Sequence, residues 1–201
     1  MRYHIAKELL FLDPKLEKTL SSFLYPDERV LWRGKTKPFG ILEGKEGKHV
    51  LLQWILSVAG GALLLALAAA NGTASAGLVV LTLLVVALLV AAPVLSFRAL
   101  LAQGYFITDR RVLVLRPDGG GSMIAHENVD ACRVLPLDHG GEAVVVGSEL
   151  FDEGKSQLRW RALHPLEGHF AKSVEGLTEC EGVVFYRVDG AADAAELLEA
   201  F

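Results

Sequence analysis

VLLQWILSVAGGALLLALAAANGTASAGLVVLTLLVVALLVAAPVLSF, residues Val50 to Phe97, runs 48 positions without an Asp, Glu, Lys, Arg or His, while the segments on either side are charged at ordinary density. A bilayer core about 30 Å thick is crossed by roughly 20 apolar residues in a helix, so the block is too long for one span and long enough for two. Its one polar, turn-prone stretch, Asn71-Gly72-Thr73-Ala74-Ser75-Ala76-Gly77, lies near the centre. The expectation is a transmembrane hairpin of two antiparallel helices, 50–70 and 77–97. The chain then divides into an N-terminal segment (1–49), the hairpin (50–97) and a C-terminal domain (98–201). A charged, amphipathic N-terminus with the apolar block starting only near residue 50 does not read as a cleaved signal peptide.

Orientation follows from the basic residues near the span ends. Arg33, Lys35, Lys37, Lys45 and Lys48 precede the first span, and Arg98, Arg110 and Arg111 follow the second. The connecting loop has none. Both termini are therefore expected on the cytoplasmic side of a multi-pass protein of the cell membrane. No ionisable group lies inside either span, which argues against a proton relay, ion pathway or transport site. Gln53, Ser57, Thr82, Gly60-Gly61 and Pro93 are the unusual positions there, and small residues in a span permit close helix packing. The hairpin reads as an anchor, and its surface is also open to self-association.

Charge narrows the partners. Residues 1–49 hold 10 Lys+Arg against 7 Asp+Glu, whereas residues 98–201 hold 10 against 17. An acidic domain lacks the clustered cations that nucleic acid demands. The expected partners are the lipid bilayer and a protein partner or a second copy, with no nucleic acid. Cys132 and Cys180 are the only cysteines, too few for a disulfide framework or a four-thiolate zinc site.

Outside the apolar block the pattern predicts small elements. Ile5, Leu9, Leu10 and Leu12 recur at near-helical spacing. A second helix is predicted from Asp13, which suits an N-cap, with Pro14 at the first helical position and Glu17 reaching back to complete the cap. Its apolar face, Leu16, Leu20, Phe23 and Leu24, can lie on a membrane or pack on the C-terminal domain, and the scarcity of basic residues favours packing. Arg29 to Arg33 reads as a strand with Val30 and Trp32 on one face, able to join the C-terminal sheet and bury Trp32.

After the hairpin the period changes to two. Strands are predicted at 105–107, 112–115, 122–125, 131–137, 143–146, around 158–163 and at 183–188, with turns at Pro117–Gly121 and Asp138–Gly141. Gly190 to Phe201 has helical spacing, with Asp189 as its expected cap. Short antiparallel strands followed by one helix suggest a bent sheet or partial barrel that the helix closes.

No catalytic, cofactor-binding or metal-binding constellation emerges. Gly154-Lys155-Ser156 lacks the glycine a phosphate loop needs five residues earlier, where Glu149 stands. His164 and His169 do not have the spacing of two ligands on one helix face. Ser122 and Ser148 lack the flanks of a nucleophile elbow, and Asp152-Glu153 reads as a solvated turn. No cofactor is implied and an enzyme is not expected.

Asp27-Glu28-Arg29-Val30-Leu31-Trp32-Arg33-Gly34, then two spans, then Tyr105-Phe106-Ile107-Thr108-Asp109-Arg110-Arg111-Val112-Leu113, resembles bacterial membrane proteins carrying a pleckstrin-homology-like (PH-like) domain. Val184-Phe185-Tyr186-Arg187-Val188 before a final helix is similar to that family's closing strand and helix. The resemblance implies an α+β membrane protein: a two-helix hairpin plus a bent antiparallel β barrel capped by a C-terminal helix. Strand order between residues 131 and 180 stays open, because that stretch departs from the pattern.

The resemblance supplies no activity, and fold analogy alone does not establish function. Two readings follow: a non-enzymatic interaction or assembly module at the cytoplasmic membrane face, or a binder of anionic headgroups or a small ligand there. Thr108, Asp109, Arg110, Arg111 and Trp32 are the candidate membrane-surface or binding residues. Arg110 and Arg111 are placed to meet anionic headgroups; equally, Thr108 and Asp109 can make a hairpin turn, with the arginines fixing topology.

Overall fold

The computed structural model describes residues 13–147, 160, 173–174 and 176–201. The helix expected over Ile5 to Leu12 lies outside these, as do Glu149, Asp152-Glu153, Gly154-Lys155-Ser156, His164, His169 and Ser148. The chain is of mixed α+β class. It forms two compact units, one made of the described residues up to Pro38 with those from Ala99 onward, the other of Phe39–Arg98. The segment before the apolar block thus belongs with the domain that follows it, a grouping the linear division at 49 and 98 does not convey.

In the first unit, α1 (Pro14–Phe23) begins where Asp13 accepts a hydrogen bond from the Lys15 backbone N–H at 3.0 Å. Glu17 does not close the cap as expected. It stands one position beyond the place a capping carboxylate occupies, and it lies 3.9 Å from Arg33 instead. Strands β1 (Val30–Lys35), β2 (Gly104–Thr108), β3 (Arg111–Leu115) and β4 (Gly121–Ala125) form an antiparallel meander. A short hairpin, β7 (Ser173–Val174) with β8 (Leu177–Glu179), extends that sheet, β8 running parallel to β4. Strands β5 (Ala131–Pro136), β6 (Glu142–Gly147) and β9 (Gly182–Val188) make a second antiparallel sheet, and α4 (Ala191–Glu199) packs on β5 and β6.

Strand alternation sorts the core into two clusters. Tyr105, Ile107 and Val112 point to one face with Ile124, Val144, Val146, Phe185, Ala194 and Leu198. Phe106, Leu113, Leu115 and Leu177 point to the other, where Leu16 and Leu20 of α1 cover them. β2 is therefore buried throughout, and the packing of α1 against the sheet accounts for its apolar stripe. β9 meets β1 at a corner, where Arg187 adopts a left-handed φ of 49° and its carbonyl accepts from Lys37 N–H at 2.8 Å.

Three expectations are corrected here. Val30 and Trp32 do not share a face: a register shift between them inserts an extra residue, as a bulge does, so Val30 packs with the Leu16 cluster and Trp32 with the Phe185 cluster. Asp189 does not cap α4; Gly190 does, with a left-handed φ of 67°, while Asp189 pairs with Lys37. Trp160 is buried in a 3-10 turn rather than a strand, and the rest of the strand expected there falls outside the described residues.

The second unit is built from α2 (Gly44–Ala70) and α3 (Ala76–Ala102), each of 27 residues and each long and apolar enough to cross a membrane. At 1.5 Å per residue each is about 40 Å long, with Lys45, Glu46 and Lys48 in the first turns of α2 and Arg98 in the last turns of α3. Leu56, Leu63, Val80, Leu88 and Leu95 are more than half exposed. Apolar residues on every face suit a lipid surround rather than water. The turn falls at Asn71–Ser75, as the sequence predicts.

Candidate functional site

The two sequence motifs that stand before and after the apolar block meet in space. β1 and β2 are neighbouring strands, with Trp32 opposite Ile107 and Lys35 opposite Gly104, and residues 36–103 carry both long helices between them. At the other end of this ladder, Asp27-Glu28-Arg29 lies against Thr108-Asp109-Arg110-Arg111, the turn joining β2 to β3. Three pairs close it, Arg29 with Asp109, Glu28 with Arg111 and Asp27 with Arg110. Arg29 N–H donates to Asp109 Oδ1 at 3.0 Å and Asp109 N–H to the Arg29 carbonyl at 3.0 Å. Arg111 forks onto Glu28, Nε to Oε1 at 2.9 Å and Nη2 to Oε2 at 2.8 Å. Arg110 pairs with Asp27.

The Glu28–Arg111 pair is the buried one, with side-chain exposures of 0% and 7%. A buried charge pair holds only when its remaining donors and acceptors are met, and here they are. The Thr108 hydroxyl sits 2.8 Å from Glu28 Oε1 and 2.9 Å from the Arg111 carbonyl, and it accepts from Arg111 N–H at 3.0 Å. Tyr25 N–H donates to Glu28 Oε2 at 3.0 Å and Arg111 Nη2 to the Phe23 carbonyl at 2.6 Å, tying in the end of α1. The guanidinium also lies over the Tyr25 ring, 4.5 Å from its centroid, a favourable cation–π arrangement. Burial pushes the Glu28 carboxyl up, but hydrogen bonds from Arg111, the Tyr25 backbone and Thr108, with the Arg111 charge, hold it below its ordinary 4.5.

The four-residue Thr-Asp-Arg-Arg motif is thus one clasp with unequal members. Thr108 is its buried hub, and its carbonyl lies 2.8 Å from His126 Nε2. Because a carbonyl only accepts, Nε2 carries a proton, and Nδ1 is buried without a hydrogen-bond partner. The Arg111 guanidinium is engaged on Glu28 and not presented to solvent. Arg110 keeps about half its side chain exposed, at 48%. A headgroup contact, if made at this turn, falls to Arg110.

Trp32 sits apart from the clasp. Its indole stacks on Phe185 with ring centroids 5.5 Å apart, and Phe185 stacks on Tyr105 at 4.9 Å. Gly34 makes room for it: a Cβ there would lie 2.1 Å from Trp32 Cη2. Trp32 is half-buried, joining the sheet as expected. Burial pushes the Tyr105 phenol up to about 12, against a lowering hydrogen bond with Thr36 at 2.8 Å. Cys132 and Cys180 are both thiols, and burial with the Glu199 charge pushes Cys132 up to about 11, away from a reactive thiolate.

Sequence reasoning quotes Asp27 and Glu28 only within the motif that carries the resemblance and does not single out Tyr25, so none of the three is among its candidate site residues. The signal that finds them is charge order: Asp27-Glu28-Arg29 reads opposite in sign to Asp109-Arg110-Arg111 when the segments run antiparallel. Among the described residues no group of three or more His, Cys, Asp or Glu is arranged to hold a metal ion. No protein-family model, curated protein or solved structure matches the chain.

Proposed function

We propose that the chain is an integral protein of the cytoplasmic membrane whose hairpin anchors a PH-like unit at the cytoplasmic face, where the unit serves as a non-enzymatic interaction or assembly module. The observation that carries this is the β1–β2 ladder. Two segments hydrogen-bonded in one ladder occupy one side of a bilayer, so helices inserted between them must enter and return. Eight basic residues, Arg33, Lys35, Lys37, Lys45, Lys48, Arg98, Arg110 and Arg111, flank the uncharged stretch 50–97 and none lies in the turn, which favours the cytoplasmic side for both termini. A PH-like reading is supported by strand order: a four-stranded meander, a second sheet of three strands and a helix packed on it. The β7–β8 hairpin is an addition to that plan.

An interaction role is supported by how the polar groups are used. Glu28 and Arg111 neutralise each other, so the most conspicuous buried charges serve the fold, and recognition passes to the remaining surface. Co-purification from crosslinked membranes tests the reading. Protein partners captured by the full chain and lost when only residues 39–98 are expressed support it. An identical or empty list from both sinks it and favours a lipid or small-ligand role. Reporter fusions at the two termini test the topology, and a signal from opposite sides of the membrane overturns it.

A further inference from the structure

The apolar helices hold one internal conflict and its resolution. Pro93 lies inside α3 and has no N–H, so the carbonyl four residues earlier, that of Leu89, loses its helical donor. In hydrocarbon such a carbonyl has no water to turn to. Gln53 of α2 supplies the missing donor: its Nε2 lies 2.9 Å from the Leu89 carbonyl. One residue on, Trp54 Nε1 lies 3.1 Å from the Val90 carbonyl, the next acceptor that a proline break loosens. The hydroxyls behave differently. Ser57, Thr82 and Ser96 donate to carbonyls of their own helices at 2.7, 2.8 and 3.1 Å. Near Thr82, Gly61 leaves the space that Val86 fills, since a Cβ there would lie 2.6 Å from Val86 Cγ2.

We propose that Gln53 and Pro93 form a latch: the proline frees a backbone acceptor on one helix, and the glutamine on the other is fixed by it, setting the register of the hairpin. Trp54 is the secondary catch. The Gln53 amide and the Trp54 indole N–H are then engaged inside the hairpin and are not offered to a second copy or to a transported solute. The pairing makes the two positions interdependent. Gln53 matters because residue 93 is proline, and an N–H restored at that position makes the glutamine dispensable.

The inference rests on the hairpin lying in hydrocarbon, and a double-mutant cycle on the full chain in detergent micelles tests it. Gln53→Leu is expected to lower the folded-to-unfolded ratio about 3- to 15-fold, the range of interhelical hydrogen bonds in membrane proteins. In the Pro93→Ala background it is expected to have little further effect. Equal losses in both backgrounds, or none in either, overturn the latch. If Gln53→Leu does not accumulate, Gln53→Asn, whose amide is one methylene short, reads the same cycle. Recovery of the unaltered chain in the soluble fraction without detergent sinks the membrane reading instead, so the two failures are distinguishable.

Discussion

The two units of this chain solve the same problem with opposite chemistry. Each must fix segments that are distant in sequence. The β unit does so with a full charge pair, Glu28 on Arg111, 83 residues apart and shut away from solvent. The apolar unit does so with neutral donors, Gln53 and Trp54, aimed at backbone carbonyls 36 residues away. The difference follows from surroundings. In a water-soluble core the remaining hydrogen-bonding capacity of two ions is met by nearby peptide groups, so the pair is specific and tolerable. Between apolar helices no such peptide groups are spare, because the helices use them, except where a proline releases one.

The comparison breaks most visibly at Glu28. Glu28→Ala leaves Arg111 buried without its partner, and a loss of about 3–5 kcal/mol is expected in chemical unfolding of the β unit. Replacing both, Glu28→Leu with Arg111→Met, is expected to recover most of that loss, which separates a cost of orphaned charge from a cost of lost packing. Acid sharpens the point. The Glu28 carboxyl is held below its ordinary 4.5, so the pair's contribution is complete above that value and is lost as pH falls through the depressed folded value. An acid-unfolding profile unchanged in the double replacement would contradict this.

At the alkaline end, Tyr105 gives a smaller effect of opposite sign. Its phenol is raised from 10.0 to about 12, so its contribution is complete below pH 10 and declines as pH rises towards 12. Absorbance at the tyrosinate band is expected to show Tyr105 still protonated near pH 11, with Tyr105→Phe removing that late step. Removal of the phenol also takes one of two hydrogen bonds from Thr36, which keeps its 3.4 Å donation to the Leu100 carbonyl, at a cost of about 1 kcal/mol. The latch follows, at the scale given above for Gln53→Leu. Smallest is Arg110→Ala, which breaks an exposed ion pair with Asp27 and is expected to change stability by less than about 1 kcal/mol; vesicle binding of that variant reads whether Arg110 meets anionic headgroups.

Local chemistry made the helices and strands legible. The break at Asn71–Ser75, the cap at Asp13 and the turns at Pro117–Gly121 and Asp138–Gly141 all follow from periods of 3.6 and 2 or from turn residues. What local pattern does not carry is which distant segments meet. Gln53 and Pro93 each stand out in an apolar run, yet nothing in either neighbourhood announces the other. Glu28 carries no local sign of its partner, which comes after the whole hairpin. The parallel pairing of β8 with β4 and the bulge that turns Val30 and Trp32 to opposite faces are likewise tertiary, and alternation alone predicts the wrong face there.

The ladder between β1 and β2 also sets a schedule. β1 is made first, but its partner strand waits on the 68 residues from Thr36 to Gln103. At roughly 5–20 residues per second on the ribosome, that is a delay of about 3–14 seconds. Throughout it, Leu16, Leu20 and Trp32 have no sheet to cover, and Glu28 has no arginine. A chain that has not yet completed β2 keeps these side chains uncovered, so the unpaired first strand is itself the mark of an unfinished protein.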